Sequence, residues 1–280
     1  MLLIPWTKAN PPPPYTPVDP THPLARDLIC CYPLNEEMAA PTVDAATLPK
    51  VFDASINHRH MSSNGTGAGT IRQRGGWLFD GSVDYFRTAI DLSINNLIGT
   101  GPFTMFAEAS LGAGAPNNTP VFMIDRWSPG AGLYVKNTTT WGGWIVNVAE
   151  AAGSALTQDV VYSLVMVRRN TGTDGVEFYK NGSPDGTQTN SGNVTATYTD
   201  RIWIGSNSGS NMGYGLVKFC AAWSRDLTQA EIIQLHLNPY QMFQPMAIPF
   251  SVAAGAPVGA IINQLQQSNI GADLYNGTLQ

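Results

Sequence analysis

Residues 215–245 read GLVKFCAAWSRDLTQAEIIQLHLNPYQMFQP, and their order joins an apolar strand, a capped helical turn and a proline-bounded exit. Leu216, Phe219, Ala221 and Trp223 lie in a run of strand length, and Ser224-Arg225-Asp226 interrupts it. Thr228 and Glu231 stand at the spacing of a capping box, in which the hydroxyl accepts from the Glu backbone N–H and the carboxylate reaches back. Ile232, Leu235 and Leu237 are expected on the inner face of the helix that follows. Asn238-Pro239 ends it, because proline has no N–H to donate and biases its predecessor away from the helical region.

Working outward, further segments read as strands and turns in a fixed order. Leu28 to Leu34 (LICCYPL) is a first strand leading to the acidic turn Asn35-Glu36-Glu37, and Val51 to Asn57 carries Asp53-x-Ser55-x-Asn57. Gly76-Trp77-Leu78-Phe79-Asp80-Gly81-Ser82 with Asp84-Tyr85-Phe86 reads as a hairpin. Phe103 to Ala109 is a long strand, Val176 to Gly182 a strand into a tight turn, and Arg201-Ile202-Trp203-Ile204-Gly205 comes just before the closing segment. This succession resembles laminin-G-like domains of the concanavalin A-like jelly-roll class across residues 24 to 244. The resemblance implies an all-β fold: a jelly-roll β-sandwich of two antiparallel sheets with one short C-terminal helix. Extended arms flank it, giving a Pro-rich arm at 1–23, a domain at 24–245 and a tail at 246–280.

Composition agrees independently. The chain is 43% hydrophobic and only 12% charged, which supplies ample core and a surface of Asn, Thr, Ser and Gly. Val161 to Val167 alternates as a strand does, and Asp174-Gly175 and Asn181-Gly182 are tight-turn dipeptides flanking another strand. A net charge of −5 argues against nucleic acid, whose phosphates require a basic surface. Arg72 with Arg74, and Arg168 with Arg169, read as solvated loop charge. Cys30 and Cys31 are neighbours on one strand and point to opposite faces, so burial as small hydrophobes is the better reading for them and for Cys220. His58-x-His60 has no partner ligands at zinc spacing and reads as loop. Met1-Leu2-Leu3-Ile4 is too short for the apolar part of a signal peptide, and no run approaches the ~20 apolar residues of a membrane helix. The Asn-x-Ser/Thr triplets at Asn64, Asn137, Asn181, Asn193 and Asn276 therefore do not imply glycosylation.

The ends differ from the body. Residues 5 to 23 hold Pro11-Pro12-Pro13-Pro14 with Pro17, Pro20 and Pro23, a stiff extended arm whose anchors are Trp6 and Tyr15. Such an arm either reaches a neighbouring subunit or straps its own domain. After residue 245 the only charged side chain is Asp273, and Phe250, Ile261, Ile262, Leu265, Ile270, Leu274 and Tyr275 are candidate assembly contacts in a docking tail.

Three function classes can be weighed. A retaining glycosidase needs two carboxyl groups about 5–5.5 Å apart. Glu36-Glu37 are adjacent, Glu108 and Glu177 isolated, Glu231 is a cap, and no nucleophile elbow or phosphate loop is present, so catalysis is not expected. Saccharide binding has more material. Asp125, Trp127, Tyr134, Asn137 and Trp141 place rings near polar loops, where sugar faces pack on aromatics and hydroxyls find Asp and Asn. The competing reading is that rings fill the sandwich, and for Trp144-Ile145-Val146 and Trp203 it is preferred. Calcium is common in domains this chain resembles, but no spacing nominates ligands, and no other cofactor is expected.

The third class follows from the resemblance. His22-Pro23-Leu24-Ala25-Arg26-Asp27-Leu28 and Asn238-Pro239-Tyr240-Gln241-Met242-Phe243-Gln244-Pro245 are similar to the opening and closing segments of laminin-G-like proteins encoded by tailed bacteriophages. That likeness implies a non-enzymatic virion component made in the host cytoplasm, a capsid decoration or accessory protein on the particle exterior. It would be a homo-oligomer anchored through its arms to the major capsid protein or a tail component. The alternative is a lectin-like adhesion module for host-surface saccharides, with no nucleic acid and no membrane as partner.

Overall fold

The computed structural model describes residues 2–4, 6–35, 50–64, 70–73, 75–81, 85–91, 93, 101–112, 115, 117–124, 130–136, 139–145, 151–169, 172–190, 201–206 and 212–248. Contacts divide the chain into two units, residues 1–5 with 245–280 and residues 6–244. In the first, β1 (Leu2–Ile4) pairs antiparallel with a last strand at Met246–Ile248, Leu3 opposite Ala247.

The second unit is a sandwich of two eight-stranded antiparallel sheets. The chain enters the closing sheet with β2 (Leu28–Tyr32), then crosses to the facing sheet with β3 (Lys50–Val51) and β4 (Met61–Asn64). It returns with β5 (Thr70–Gln73) and β6 (Gly76–Asp80), crosses with β7 (Tyr85–Thr88), and returns with β8 (Phe103–Ser110). A meander then builds the facing sheet from β9 (Thr119–Ile124), β10 (Ala131–Val135), β11 (Thr140–Ile145) and β12 (Ala151–Ala155). A second meander builds the closing sheet from β13 (Val161–Arg168), β14 (Gly172–Lys180) and β15 (Ser183–Asn190). Last come β16 (Ile202–Ile204) in the facing sheet, β17 (Tyr214–Trp223) in the closing sheet and the helix α1 (Gln229–Leu237). This is the all-β, two-sheet, one-helix architecture expected from the sequence.

The stretch at 215–245 organises the closing sheet. One edge of β17 pairs along its length with β8, while β6 takes the first half of the other edge and β2 the second. Phe79, Phe86, Phe103, Met105, Phe122, Leu133, Trp141, Met166 and Phe178 fill the space between the sheets. A second apolar layer forms outside the closing sheet, where Phe106, Phe219, Tyr240 and Phe243 meet edge-on or tilted at 5.6–6.5 Å. The helix carries the expected capping box, Glu231 N donating to Thr228 Oγ1 and Thr228 N to Glu231 Oε2. Ile232 and Leu235 are buried, but Leu237 is 68% exposed, because at about 100° per residue it stands roughly 200° round the helix from Leu235 and faces away from the sheet.

The opening and closing segments lock together. Trp223 Nε1 donates to Leu24 O at 2.6 Å, Ser224 N to Asp27 O, and Arg225 to Arg26 O and Pro23 O, while the same guanidinium grips both oxygens of Glu231. Their joint occurrence in the sequence therefore has a single mechanical cause. Asp53 serves as a buried hub, accepting from Cys31 N, Ser55 N, Ser55 Oγ and Arg59 N at 2.8–3.0 Å, and Asn57 donates to Leu28 O and Ile29 O.

Several expectations are corrected. β6 and β7 lie in opposite sheets, so Gly76–Phe86 is a sheet-crossing arch around Gly81 (φ 81°) rather than a hairpin. Asp174-Gly175 falls inside β14, where the register slips between Gly172 and Val176, whereas Asn181-Gly182 (φ 53° and 77°) does make the tight turn. Arg168 is not loop charge: it is 1% exposed, lies 4.6 Å over the Phe103 ring and donates to Gly101 O, and burial pulls its guanidinium down to about 10. Arg169 is paired with Glu177 and Asp226. Arg72 lies on β5, and Arg74 is outside the described residues. All three cysteines are buried free thiols, Cys30 and Cys220 between the sheets and Cys31 outside that core, and burial raises each well above the ordinary thiol value.

Candidate functional site

The N-terminal arm from Trp6 onward folds back on its own domain. Trp6 is 5% exposed, its Nε1 donates to Gln244 O at 2.8 Å, and its carbonyl accepts from Asn238 Nδ2 at 2.7 Å. Lys8 pairs with buried Glu108, and Val18 N donates to Ala54 O. Residues 6–23 thus strap their own domain, and Trp6 is corrected from an assembly contact to a packing residue. Tyr15 differs: it is 61% exposed with φ 68°, edge-on to Phe52 at 5.3 Å. Phe250, Ile261, Ile262, Leu265, Ile270, Leu274 and Tyr275 lie outside the described residues.

The ring-and-loop grouping anticipated for sugars is not assembled by the described residues. Tyr134 and Trp141 are fully buried. Trp141 packs edge-on against Phe178 between the sheets and spends its Nε1 on Asp185 Oδ2 at 2.8 Å, so it has no face to offer a ligand. These two are corrected: Trp141 points into the core between the sheets, and Tyr134, on the other side of β10 from Leu133 and Val135, has no exposed surface. Asp125, Trp127 and Asn137 lie outside the described residues.

A different cluster stands on the outward side of the facing sheet. In β7, Phe86 and Thr88 are buried while Tyr85 and Arg87 point away and are half-buried. In β16, Ile202 and Ile204 enter the core, leaving Trp203 on the outer face. Cross-strand register sets Ser62, Arg87, Trp203 and Met123 in one row, since Ser62 opposes Arg87, Arg87 opposes Trp203, and Trp203 opposes Met123. The Arg87 guanidinium sits 5.9 Å from the Tyr85 ring and 5.6 Å from the Trp203 ring, which are themselves 5.4 Å apart. Arg201, one residue before β16, donates a long 3.4 Å bond to Thr88 O. Burial first, then the positive charge of Arg87, pulls Arg201 below its ordinary value. Trp203 is 3% exposed, and its indole N–H is buried with no hydrogen-bond partner. Trp203 is thus buried, as its strand setting suggested, but outside the main core.

The sequence reading passed over this cluster. The signal available was the period-2 pattern Tyr85-Phe86-Arg87-Thr88 and Arg201-Ile202-Trp203-Ile204, which puts arginine and aromatic on one face of each strand. What it lacked was the pairing of two strands far apart in the chain.

The three described glutamates are committed to neighbours. Glu177 accepts from Arg169 at 2.7 Å and from Tyr179 OH at 2.6 Å, and Arg169 holds its carboxyl below the usual range. Burial raises Glu108 despite Lys8 beside it. Glu231 is divided between the helix cap and Arg225. Ser163 Oγ and His236 Nδ1 stand 2.9 Å apart, with His236 lowered by burial and then by Lys8. Among the described residues no three His, Cys, Asp or Glu side chains converge as a metal site would require, so none is nominated for calcium. Nor, among them, is any helix long and apolar enough to cross a membrane.

Residues 80–233 match a laminin-G family described as the concanavalin A-like lectin/glucanases superfamily. No curated protein sequence matches significantly. Among solved structures, Trypanosoma rangeli sialidase in complex with the inhibitor DANA is similar at a TM-score of 0.54 and 16% identity, over 75% of this chain and 32% of that one. Botulinum neurotoxin type C, which depends on interaction with two ganglioside molecules to get into cells, superposes at 0.56 with 9% identity, over 76% of this chain and 51% of that one. The binding domain of botulinum neurotoxin DC in complex with rat synaptotagmin II gives the same values. This chain spans about a third of the sialidase and half of the toxin chains, and at such identities the likeness is one of fold.

Proposed function

Because this chain belongs to the concanavalin A-like lectin/glucanases superfamily, we propose that it is a non-enzymatic saccharide-recognition module borne on the exterior of a bacteriophage particle. The observation that carries the recognition half is the outward cluster of Tyr85, Arg87 and Trp203. Tyr85 and Arg87 are half-buried and offer a ring and a hydrogen-bonding group to a shallow sugar site, in which C–H faces pack on aromatics while polar groups fix orientation, with the buried Trp203 backing them. The non-catalytic half is supported by the carboxylates, since Glu108, Glu177 and Glu231 each hold a structural partner. A glycan array probed with the whole chain tests recognition: binding to at least one saccharide class is expected, and none at all overturns it.

The virion reading rests on the likeness of 22–28 and 238–245 to phage-encoded laminin-G-like proteins. With residues 6–23 strapped to their own domain, attachment to a capsid or tail neighbour falls to Tyr15 and residues 246–280, and self-association goes with it. A cryo-electron microscopy map of the purified particle should place the protein on its surface. Finding it only free in host lysate overturns this half.

A further inference from the structure

We propose that the outer side of α1, with the start of β13 beside it, is a two-fold contact between two copies of this chain. Of the seven large apolar side chains left exposed among the described residues, four gather there: Ile233 and Leu237 on the helix, Val160 and Val161 where β13 begins. The two segments are tied together. His236 Nδ1 stands 2.9 Å from Ser163 Oγ, Asn181 N donates to Ser163 O, and a Cβ on Gly182 would lie 3.5 Å from Ile233 Cα. Val161 lies two residues before Ser163 on the same side of β13, so it borders the C-terminal end of the helix. At about 100° per residue, Ala230, Ile233 and Leu237 form one stripe opposite buried Ile232 and Leu235, and exposed Gln229 and Gln234 flank it. This contact belongs to the body of the sandwich, is additional to any that the terminal segments make, and requires no saccharide.

Charge favours a second copy over a foreign partner. The chain carries −5, so two copies repel one another and meet most favourably where charge is absent. The outward residues of α1 are uncharged, because Glu231 is turned to the cap and to Arg225. A partner selected by charge would find nothing on this helix face to pair with. Asp159 beside Val160 and Lys180 beside the Asn181 turn border the patch with opposite signs, so the rim adds no net charge. A glutamine amide both donates and accepts, which lets Gln229 and Gln234 meet their own copies across a two-fold axis. An antiparallel pair of helices centred on Ile233 also sets Ala230 of one protomer opposite Leu237 of the other, small against large. A standard interface buries about 800 Å² on each partner around a charge-poor apolar centre. The helix stripe with Val160 and Val161 supplies that centre, and exposed Thr157 and Gln158 extend its polar rim.

Sedimentation equilibrium of the full chain from about 1 to 100 µM should show monomer and dimer in exchange, with a micromolar dissociation constant. Ile233→Asp and Leu237→Asp, both at exposed positions, should weaken the dimer about tenfold or more and leave the melting temperature unchanged. A parent chain that stays monomeric throughout this range overturns the contact. Dimerisation unchanged in both variants also overturns it, and moves self-association to the terminal segments. The described native cysteines are all buried, so one added surface thiol reports position. A short bis-maleimide should join Ile233→Cys to its own copy, whereas Ile90→Cys, 58% exposed just after β7 of the facing sheet, should remain single. Equal cross-linking of the two, or none at Ile233→Cys, refutes the helix contact even if the aspartate variants fail to fold.

Discussion

Replacing Trp6 measures the strap directly. A tryptophan buries ~150–250 Å², worth about 5 kcal/mol at ~25 cal/mol per Å², and its N–H to Gln244 O adds about 1 kcal/mol net. Against this, releasing the first residues of the arm returns about 1–2 kcal/mol of backbone entropy for each one freed. Trp6→Ala should therefore destabilise the domain by about 3–5 kcal/mol, the range seen for large aromatic truncations. Trp6→Phe keeps most of the apolar area and should cost about 1–2 kcal/mol, chiefly the lost hydrogen bond. At ~2–4 °C per kcal/mol for a domain of this size, the melting temperature should fall by about 6–20 °C for alanine and less than half of that for phenylalanine. Calorimetry with far-ultraviolet circular dichroism reads the shift, and trypsin cleavage after Lys8 should quicken in Trp6→Ala because Lys8 lies on the same strap. An unchanged melting temperature together with unchanged cleavage at Lys8 would refute the strap and return Trp6 to the pool of assembly contacts.

Other perturbations test the remaining assignments. Asp53→Ala strands four donors of the buried hub and should cost at least ~3 kcal/mol, at about 1–3 kcal/mol for each unsatisfied group, measured by urea unfolding; a loss below ~1 kcal/mol would refute the hub. Gly215 has φ 133° and a Cβ there would lie 2.1 Å from the Ser110 carbonyl oxygen, so Gly215→Ala should sharply lower soluble yield and melting temperature, because backbone cannot step aside as a side chain can. His236 is lowered by burial and by Lys8, so the unfolded chain takes up its proton first. Its contribution is complete above the ordinary histidine value of about 6.5 and is lost as pH falls through that value toward the lowered folded one. His236→Gln should flatten the pH dependence of stability between about pH 7 and 5, with a residual slope of the same sign from His22, which burial also lowers.

How far the chain could be read without its fold differs between elements. The helix was legible down to its cap, because Thr228, Glu231 and Asn238 act on neighbours three or four residues away and such interactions are written in spacing. Strands β8, β13 and β17 were legible by apolar run, and Asn181-Gly182 by the positive φ its turn demands. The Gly76–Phe86 arch was misread because a tight hairpin and a crossing between sheets share one local sequence and differ only in the partners of their strands. Arg168 and Trp141 were misplaced for a related reason: whether a polar or amphipathic side chain faces water depends on what lies over the strand, here Phe103 and Gly101 for one and Phe178 and Asp185 for the other.

The sequence by itself determined the class of fold and the two segments that close it, since propensity, capping and turn chemistry are local. Tertiary structure alone decided the site. Arg87 and Trp203 belong to strand segments far apart in the chain. Only the antiparallel register of β7 with β16 sets Arg87 opposite Trp203 and both beside Tyr85. Register is a long-range property, fixed by burying Phe86, Ile202 and Ile204 on the opposite face, and no spacing within either strand encodes it.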